Sequence, residues 1–172
     1  MKKADVDYLY DWASYNEFPL RKAPTSVGYA KDSNTGDDKD IYFCWLKARR
    51  DTHGGVRQSI VDDPRAIEIL QQKEILLATI AVFTPDTDLP THKDPDVYDQ
   101  PYRRIQIPLS VYPEQYMIWE ETGETIHWKD GEAQVWDVMD HPHSGYNHSE
   151  EDMVFLFLDI QKTDDNSTLQ EV

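Results

Sequence analysis

Residues 153–160 read MVFLFLDI and form the most apolar stretch of the chain. Their number and their content of Val, Phe and Ile indicate a buried β-strand. Shorter strand-like runs precede it, and turns that contain Gly or Asp-Gly separate several of them. These runs are residues 40–48, 76–83, 103–111, 115–119, 125–128 and 133–138. Several short strands separated by turns predict an antiparallel barrel or sandwich.

One helix is predicted in the middle of the chain. Asp63 is suited to be its N-cap, and Pro64 takes the first helical position, where a missing N–H costs nothing. The aromatic side chains between Tyr8 and Phe18 are expected to cover one face of a sheet. We therefore expect a single domain over residues 1–162, in which 1–75 supply supporting strands and the helix, 76–162 form the core, and 163–172 are a polar tail.

Charge and cysteine content exclude several classes of function. The chain has 172 residues, with 17 Lys and Arg against 33 Asp and Glu, a formal charge of −16. This balance argues against nucleic acid and against an anionic membrane surface, and it fits a cationic partner or simple solubility. Cys44, the one cysteine, lies in an apolar run and is expected to be buried. Neither a signal peptide nor a stretch of about 18 apolar residues is found, so we expect a soluble cytoplasmic protein.

Two histidine patterns offer metal chemistry. In His92-Lys93-Asp94 the first and third residues point to the same side of an extended segment and can reach one ion. His141-Pro142-His143 follows about fifty residues later, shortly before the final strand. Two imidazoles and one carboxylate form the facial triad of non-haem iron(II) oxygenases, which leaves positions open for cosubstrate and dioxygen. A lone His-x-Asp is more often a loop ion pair, but here strands and ligands alternate in the order that a metal-holding jelly roll requires.

Four segments, in the family's order, resemble the aspartyl/asparaginyl β-hydroxylase-like group of iron(II)- and 2-oxoglutarate-dependent oxygenases. They are TIAVFTPDTDLPTHKD (79–94), YRRIQIPLSV (102–111), IHWKDGEAQVWD (126–137) and HSGYNHSEEDMVFLFLDI (143–160). The resemblance implies a mainly β, double-stranded β-helix fold, a cupin-like jelly roll with a few flanking helices. It also implies that Fe(II) is bound by His92, Asp94 and His143, which serve as catalytic and metal-ligating residues. Some members have Gly where this chain has Asp94.

The chain departs from the family at the cation that pairs with the distal carboxylate of 2-oxoglutarate. The family usually has Arg at the position of Met153. The resemblance implies Arg104 as the replacement, whereas strand parity favours Arg103 if the apolar residues that alternate with it pack between the sheets. Gln106 stands where the family has His, and its amide can still donate to a carboxylate.

The resemblance thus implies an Fe(II)- and 2-oxoglutarate-dependent dioxygenase that hydroxylates an amino-acid side chain, free or within a peptide. The charge of −16 indicates a basic small-molecule or peptide substrate, with no nucleic-acid or membrane partner. The alternative is a cupin-like jelly roll that binds a metal or a small molecule without oxygenase activity, and Met153 favours it.

Overall fold

The computed structural model describes residues 1–23, 30–48, 55–95, 98 and 100–162, and these residues form two helices and eleven strands. The helices are α1 (Lys3–Ser14) and α2 (Pro64–Leu70). The strands are β1 (Arg21–Lys22), β2 (Lys31–Asp32), β3 (Ile41–Lys47), β4 (Ile75–Phe83), β5 (Thr87–His92), β6 (Tyr102–Ser110), β7 (Gln115–Trp119), β8 (Glu124–His127), β9 (Gln134–Trp136), β10 (His143–Asn147) and β11 (Met153–Gln161). Neither helix in these residues is long and apolar enough to cross a membrane.

The strands form two antiparallel sheets, which confirms the predicted mainly β jelly roll. One sheet has six strands in the order β1-β3-β4-β11-β6-β9, and the other has five in the order β2-β5-β10-β7-β8. The apolar run at residues 153–160 becomes β11, which pairs with β4 on one side and β6 on the other. A central strand that is buried on both faces needs apolar residues at nearly every position, which explains this composition.

The outer face of the six-stranded sheet packs against the two helices. Alternate residues of β6 and β11 point to this side, and they join one buried cluster with residues of α1 and α2. Its members include Val6, Leu9, Ile69, Leu70, Ile105, Ile107, Leu156 and Leu158. The helices therefore cover one side of the sheet and leave the other side to face the second sheet.

The inner face of the same sheet carries a second apolar cluster, which includes three phenylalanines. Phe83, Met153, Phe155 and Phe157 belong to it, together with partly buried Leu89 of β5. Met153 is only 2% exposed. Successive side chains alternate along a strand, so Arg104 and Gln106 of β6 also point to this inner face.

The predicted helix is present, and the N-terminal segment is a helix as well. Asp63 accepts a hydrogen bond from the Ala66 backbone N–H at 2.7 Å, and Pro64 occupies the first turn, as expected. The N-terminal segment covers the sheet as α1, whose buried positions Val6, Leu9 and Ala13 recur with helical spacing. The aromatic side chains predicted to cover the sheet do so only in part, because most are partly buried against it and Tyr15 is 89% exposed. The predicted polar tail lies outside the described residues.

Candidate metal centre

Strands β5 and β10 bring the three predicted ligands together. His92 ends β5, His143 begins β10, and the two residues are direct partners in the antiparallel ladder. Asp94 follows two residues after His92, and its backbone N–H donates to the Val138 carbonyl at 3.1 Å. One ligand atom from each of His92, Asp94 and His143 lies within 4.8 Å of the others. Two imidazoles and a carboxylate, distant in sequence, therefore converge at one end of the sandwich.

Backbone carbonyls orient both imidazole rings. Nδ1 of His92 lies 2.7 Å from the Pro90 carbonyl oxygen, and Nδ1 of His143 lies 3.1 Å from the His141 carbonyl oxygen. A carbonyl can only accept, so each Nδ1 carries the proton and donates it. A neutral histidine whose proton is on Nδ1 can bind a metal through Nε2.

The same two nitrogens face one oxygen of the carboxylate. Nε2 of His92 is 3.5 Å and Nε2 of His143 is 3.9 Å from Asp94 Oδ1. Burial raises the pKa of Asp94, but the Arg104 guanidinium and the two histidines outweigh it and lower the pKa to about 2. Burial lowers the pKa of His143, so this ring is neutral at pH 7. The cluster thus offers two imidazole nitrogens and one ionised oxygen, a donor set that fits Fe(II).

The other nearby histidines pair elsewhere. His141 Nδ1 lies 2.9 Å from Glu121 Oε2, and His148 Nε2 lies 2.8 Å from Asp88 Oδ1. Both histidines are exposed. Of the three histidines between residues 141 and 148, the structure brings only His143 into the cluster.

Arg104 also reaches the cluster, but it is bound to carboxylates of the protein. Its Nη1 contacts Asp94 Oδ2, while Nε and Nη2 donate to the two oxygens of Asp159 at 2.8 and 3.1 Å. The Tyr98 hydroxyl donates to Asp159 Oδ2 at 2.7 Å. Burial opposes the charge of Arg104, yet Asp159 and Asp94 raise its pKa well above the usual value. Sequence reasoning did not select Asp159 or Tyr98, although an acidic residue inside the apolar run of β11 was a usable signal.

The remaining cosubstrate candidates lie on β6. Arg103 donates from Nε to Asp137 Oδ1 at 2.9 Å, so its head group is paired away from the three ligands. Gln106 is buried on the inner face, and its amide oxygen accepts from the Trp128 indole at 3.0 Å. Its amide nitrogen is the donor that remains for a ligand.

A pocket of about 310 Å³ adjoins the cluster. The ring of the lining residue Trp119 lies 5.6 Å from the His143 ring and 5.2 Å from the Trp136 ring, so one wall of the pocket contacts a residue of the cluster. Its lining is aromatic and acidic, and consists of Trp119, Glu121, Thr122, Glu124, Trp136, Asp137, His141 and Pro142. The volume is at the lower end of the range for small-molecule sites.

Comparisons with known proteins agree with this geometry. The family model described as aspartyl/asparaginyl beta-hydroxylase matches residues 22–163. No curated protein matches the chain significantly. Among solved structures, the chain is similar to an oxidoreductase of the 2OG-Fe(II) oxygenase family from Burkholderia pseudomallei, with a TM-score of 0.58 and 13% identity over 90% of this chain and 78% of the other.

Two further structures show how widely the fold is shared. A prolyl-4-hydroxylase from Pseudomonas putida matches with a TM-score of 0.50 and 13% identity, covering 95% of this chain and 89% of that one. A predicted oxalate decarboxylase from Thermotoga maritima matches with a TM-score of 0.50 and 14% identity, covering 85% and 95%. At these identities the likeness establishes the jelly-roll fold and leaves the reaction to be argued from the site.

Proposed function

This chain belongs to the aspartyl/asparaginyl β-hydroxylase family, and we propose that it is an Fe(II)- and 2-oxoglutarate-dependent dioxygenase that hydroxylates an amino-acid side chain, free or within a peptide. The observation that carries the proposal is the convergence of His92, Asp94 and His143, with the Nε2 atoms of both histidines facing one carboxylate oxygen of Asp94. When bound, the iron would supply the oxidation of a C–H bond at the expense of dioxygen and 2-oxoglutarate. His92, Asp94 and His143 would hold this iron.

The groups around the cluster differ in how well they suit 2-oxoglutarate. The Gln106 amide nitrogen supports binding of a carboxylate or keto oxygen. Arg104 already contacts two carboxylates, and Arg103 is paired with Asp137. Met153 places an apolar side chain where the family usually has the cation. A carboxylate buried without a cation is costly, so Met153 also supports the second candidate function, a cupin-like metal-binding jelly roll without oxygenase activity.

The pocket beside Trp119 supports a basic substrate. Its lining includes the carboxylates of Glu121, Glu124 and Asp137, and no Lys or Arg is among the lining residues. Asp137 is paired with Arg103 and with Lys162, so Glu121 and Glu124 carry most of the available negative charge. Two indole rings beside carboxylates suit an ammonium or a guanidinium group.

Anaerobic titration with Fe(II) and then 2-oxoglutarate tests the proposal. A visible metal-to-ligand charge-transfer band is expected in the wild type and is expected to be absent in His92→Ala. Metal uptake without the band would establish the cupin-like alternative instead. Failure to take up metal would refute both functions.

The substrate class is tested by succinate release in air. Peptides that contain arginine or citrulline are a matched pair, since citrulline has nearly the same shape without the charge. The proposal expects stimulation by the arginine peptide, and it expects Glu124→Gln to reduce that stimulation. Equal stimulation by both peptides would contradict a basic substrate.

A further inference from the structure

We propose that Arg104, Asp159 and Tyr98 are positioning residues that make Asp94 bind the metal through a single oxygen atom. This inference rests on the metal site of the proposed function, and it assigns Arg104 a role toward a metal ligand. It also gives a purpose to two buried polar side chains outside the ligand set, since Asp159 is 1% and Tyr98 is 3% exposed.

The two carboxylate oxygens of Asp94 face different partners. Oδ1 is the oxygen that faces Nε2 of His92 and Nε2 of His143, at 3.5 and 3.9 Å. Oδ2 is the oxygen that contacts Arg104 Nη1. An oxygen engaged by a guanidinium in a charge-assisted hydrogen bond is not free to approach a cation. Arg104 therefore leaves Oδ1 as the metal-binding atom.

Arg104 is itself held by two contacts besides Asp94. Nε and Nη2 form a two-point contact with the Asp159 carboxylate, which uses the rigid fork of the guanidinium. The guanidinium carbon lies 5.0 Å from the centre of the Phe157 ring, two residues before Asp159 on β11. With Nε and Nη2 bound to Asp159, Nη1 remains to donate to Asp94.

Asp159 is also held in place. It is the direct register partner of Arg104 across β11 and β6, so the pairing is built into the central ladder of the sheet. The Tyr98 hydroxyl donates to Asp159 Oδ2 at 2.7 Å, and burial beside Asp159 keeps this phenol protonated by raising its pKa. The network thus runs from Tyr98 through Asp159 and Arg104 to Asp94.

The number of oxygens by which Asp94 binds determines how many coordination positions of the metal remain open. In an octahedral site, two histidine nitrogens and one carboxylate oxygen leave three positions open. A carboxylate that binds through both oxygens would leave two. A cosubstrate bound through two atoms together with dioxygen needs three positions, so a one-oxygen Asp94 preserves the position that dioxygen would take.

Charge gives the network a second consequence. Arg104 alone would neutralise Asp94 and weaken the attraction of the site for a cation. Asp159 returns one negative charge, so the three side chains together carry −1, the same charge as an isolated carboxylate. Removing the charge of Asp159 is therefore expected to lower metal affinity even though Asp159 is not a ligand.

Asp159→Asn and Tyr98→Phe are near-isosteric tests, and Asp5→Asn is the matched control. Asp5 is a buried carboxylate paired with an arginine, Arg65, at 2.6 Å, and it lies on the helix-covered side of the sheet. Manganese(II) alone is the probe, with affinity measured by calorimetry and bound waters counted from line broadening in oxygen-17-labelled water. We expect Asp159→Asn to weaken binding by about 10- to 100-fold. Tyr98→Phe should weaken it less, and Asp5→Asn should leave it unchanged while lowering thermal stability.

Arg104→Gln tests the positioning role directly, because a purely structural role of Arg104 would not change the number of waters on the bound manganese. With Oδ2 released, Asp94 can bind through both oxygens, so the count of manganese-bound waters should fall from three to two. Arg104→Lys keeps the charge without the fork and should not restore wild-type behaviour. If Asp159→Asn fails to fold, Tyr98→Phe decides by its manganese affinity relative to the wild type.

The outcomes separate this inference from the proposed function. Wild-type affinity and an unchanged water count in all of these variants would overturn the positioning role and leave the dioxygenase proposal standing. A wild type that binds no divalent metal would refute both.

Discussion

Replacing Asn147 by alanine is expected to destabilise the fold without altering the metal site. Asn147 lies on β10, the strand that begins with His143, and its side chain is fully buried. Its amide nitrogen donates to the carbonyls of Phe83 and Glu151 at 2.8 and 2.9 Å. Its oxygen accepts from the Gln115 amide and from the backbone N–H and hydroxyl of residue 149. The substitution removes two donated and three accepted hydrogen bonds, five in total.

The magnitude follows from these contacts. Each hydrogen bond contributes about 0.5–1.5 kcal/mol net, and members of one network are not additive. The Glu151 carbonyl keeps donors from Gln115 and Ser149, so part of the loss is compensated. We expect the free energy of unfolding to fall by about 3 kcal/mol. At about 2–4 °C per kcal/mol for a chain of this size, Tm should fall by about 10 °C.

Urea denaturation and manganese(II) calorimetry at 25 °C together test this prediction. The control is Asn16→Ala, because Asn16 is exposed and makes one side-chain bond, to the Trp12 carbonyl. That variant should stay within about 0.5 kcal/mol of the wild type. A stable Asn147→Ala protein that has lost metal affinity would show that Asn147 serves the metal centre, and the structural reasoning would be wrong.

Three further measurements test other parts of the structure. Metal at 100 times its Kd should stabilise the fold by about 2.7 kcal/mol, which raises Tm by about 5–11 °C in a melting scan, and His143→Ala should abolish the rise. Burial lowers the pKa of Lys47 below 10.5, so the unfolded chain binds more protons and the free energy of unfolding should increase as the pH approaches 10.5. Lys47→Met should flatten that slope in urea titrations at several pH values. Burial raises the pKa of the Cys44 thiol, so native protein should resist a thiol reagent at pH 7 that labels the chain fully in urea.

Strands with strong apolar patterns were predictable from the sequence. The run at 115–119 is a strand with the same bounds in the structure, and 76–83 and 153–160 match β4 and β11 to within a residue. The Asp63 cap and the Pro64 start of α2 are also confirmed, because both depend on local chemistry that needs no tertiary partner.

Strands β5 and β10 were not predicted, although both hold candidate metal ligands. β5 contains Pro90, which donates no hydrogen bond, and the ladder between the two strands shifts register in this region. β10 contains Gly145, where a Cβ would lie 3.3 Å from a side-chain carbon of Leu89. A functional strand can therefore have poor strand propensity, because tertiary pairing supplies what the local sequence lacks.

The sequence by itself predicted the apolar strands and the capped helix, and together with the family resemblance it pointed to His92, Asp94 and His143 as candidate ligands. Ligand types and their spacing along extended segments are local properties, so His92 and Asp94 were recognisable without a partner. Only the tertiary structure decided which of Arg103 and Arg104 reaches the ligands, and that Arg104 is bound there by Asp159. The reason is that β6 is buried on both faces, with Ile105 and Ile107 packed against the helices. A strand covered on both sides has no polar face in its sequence from which the direction of a side chain can be read.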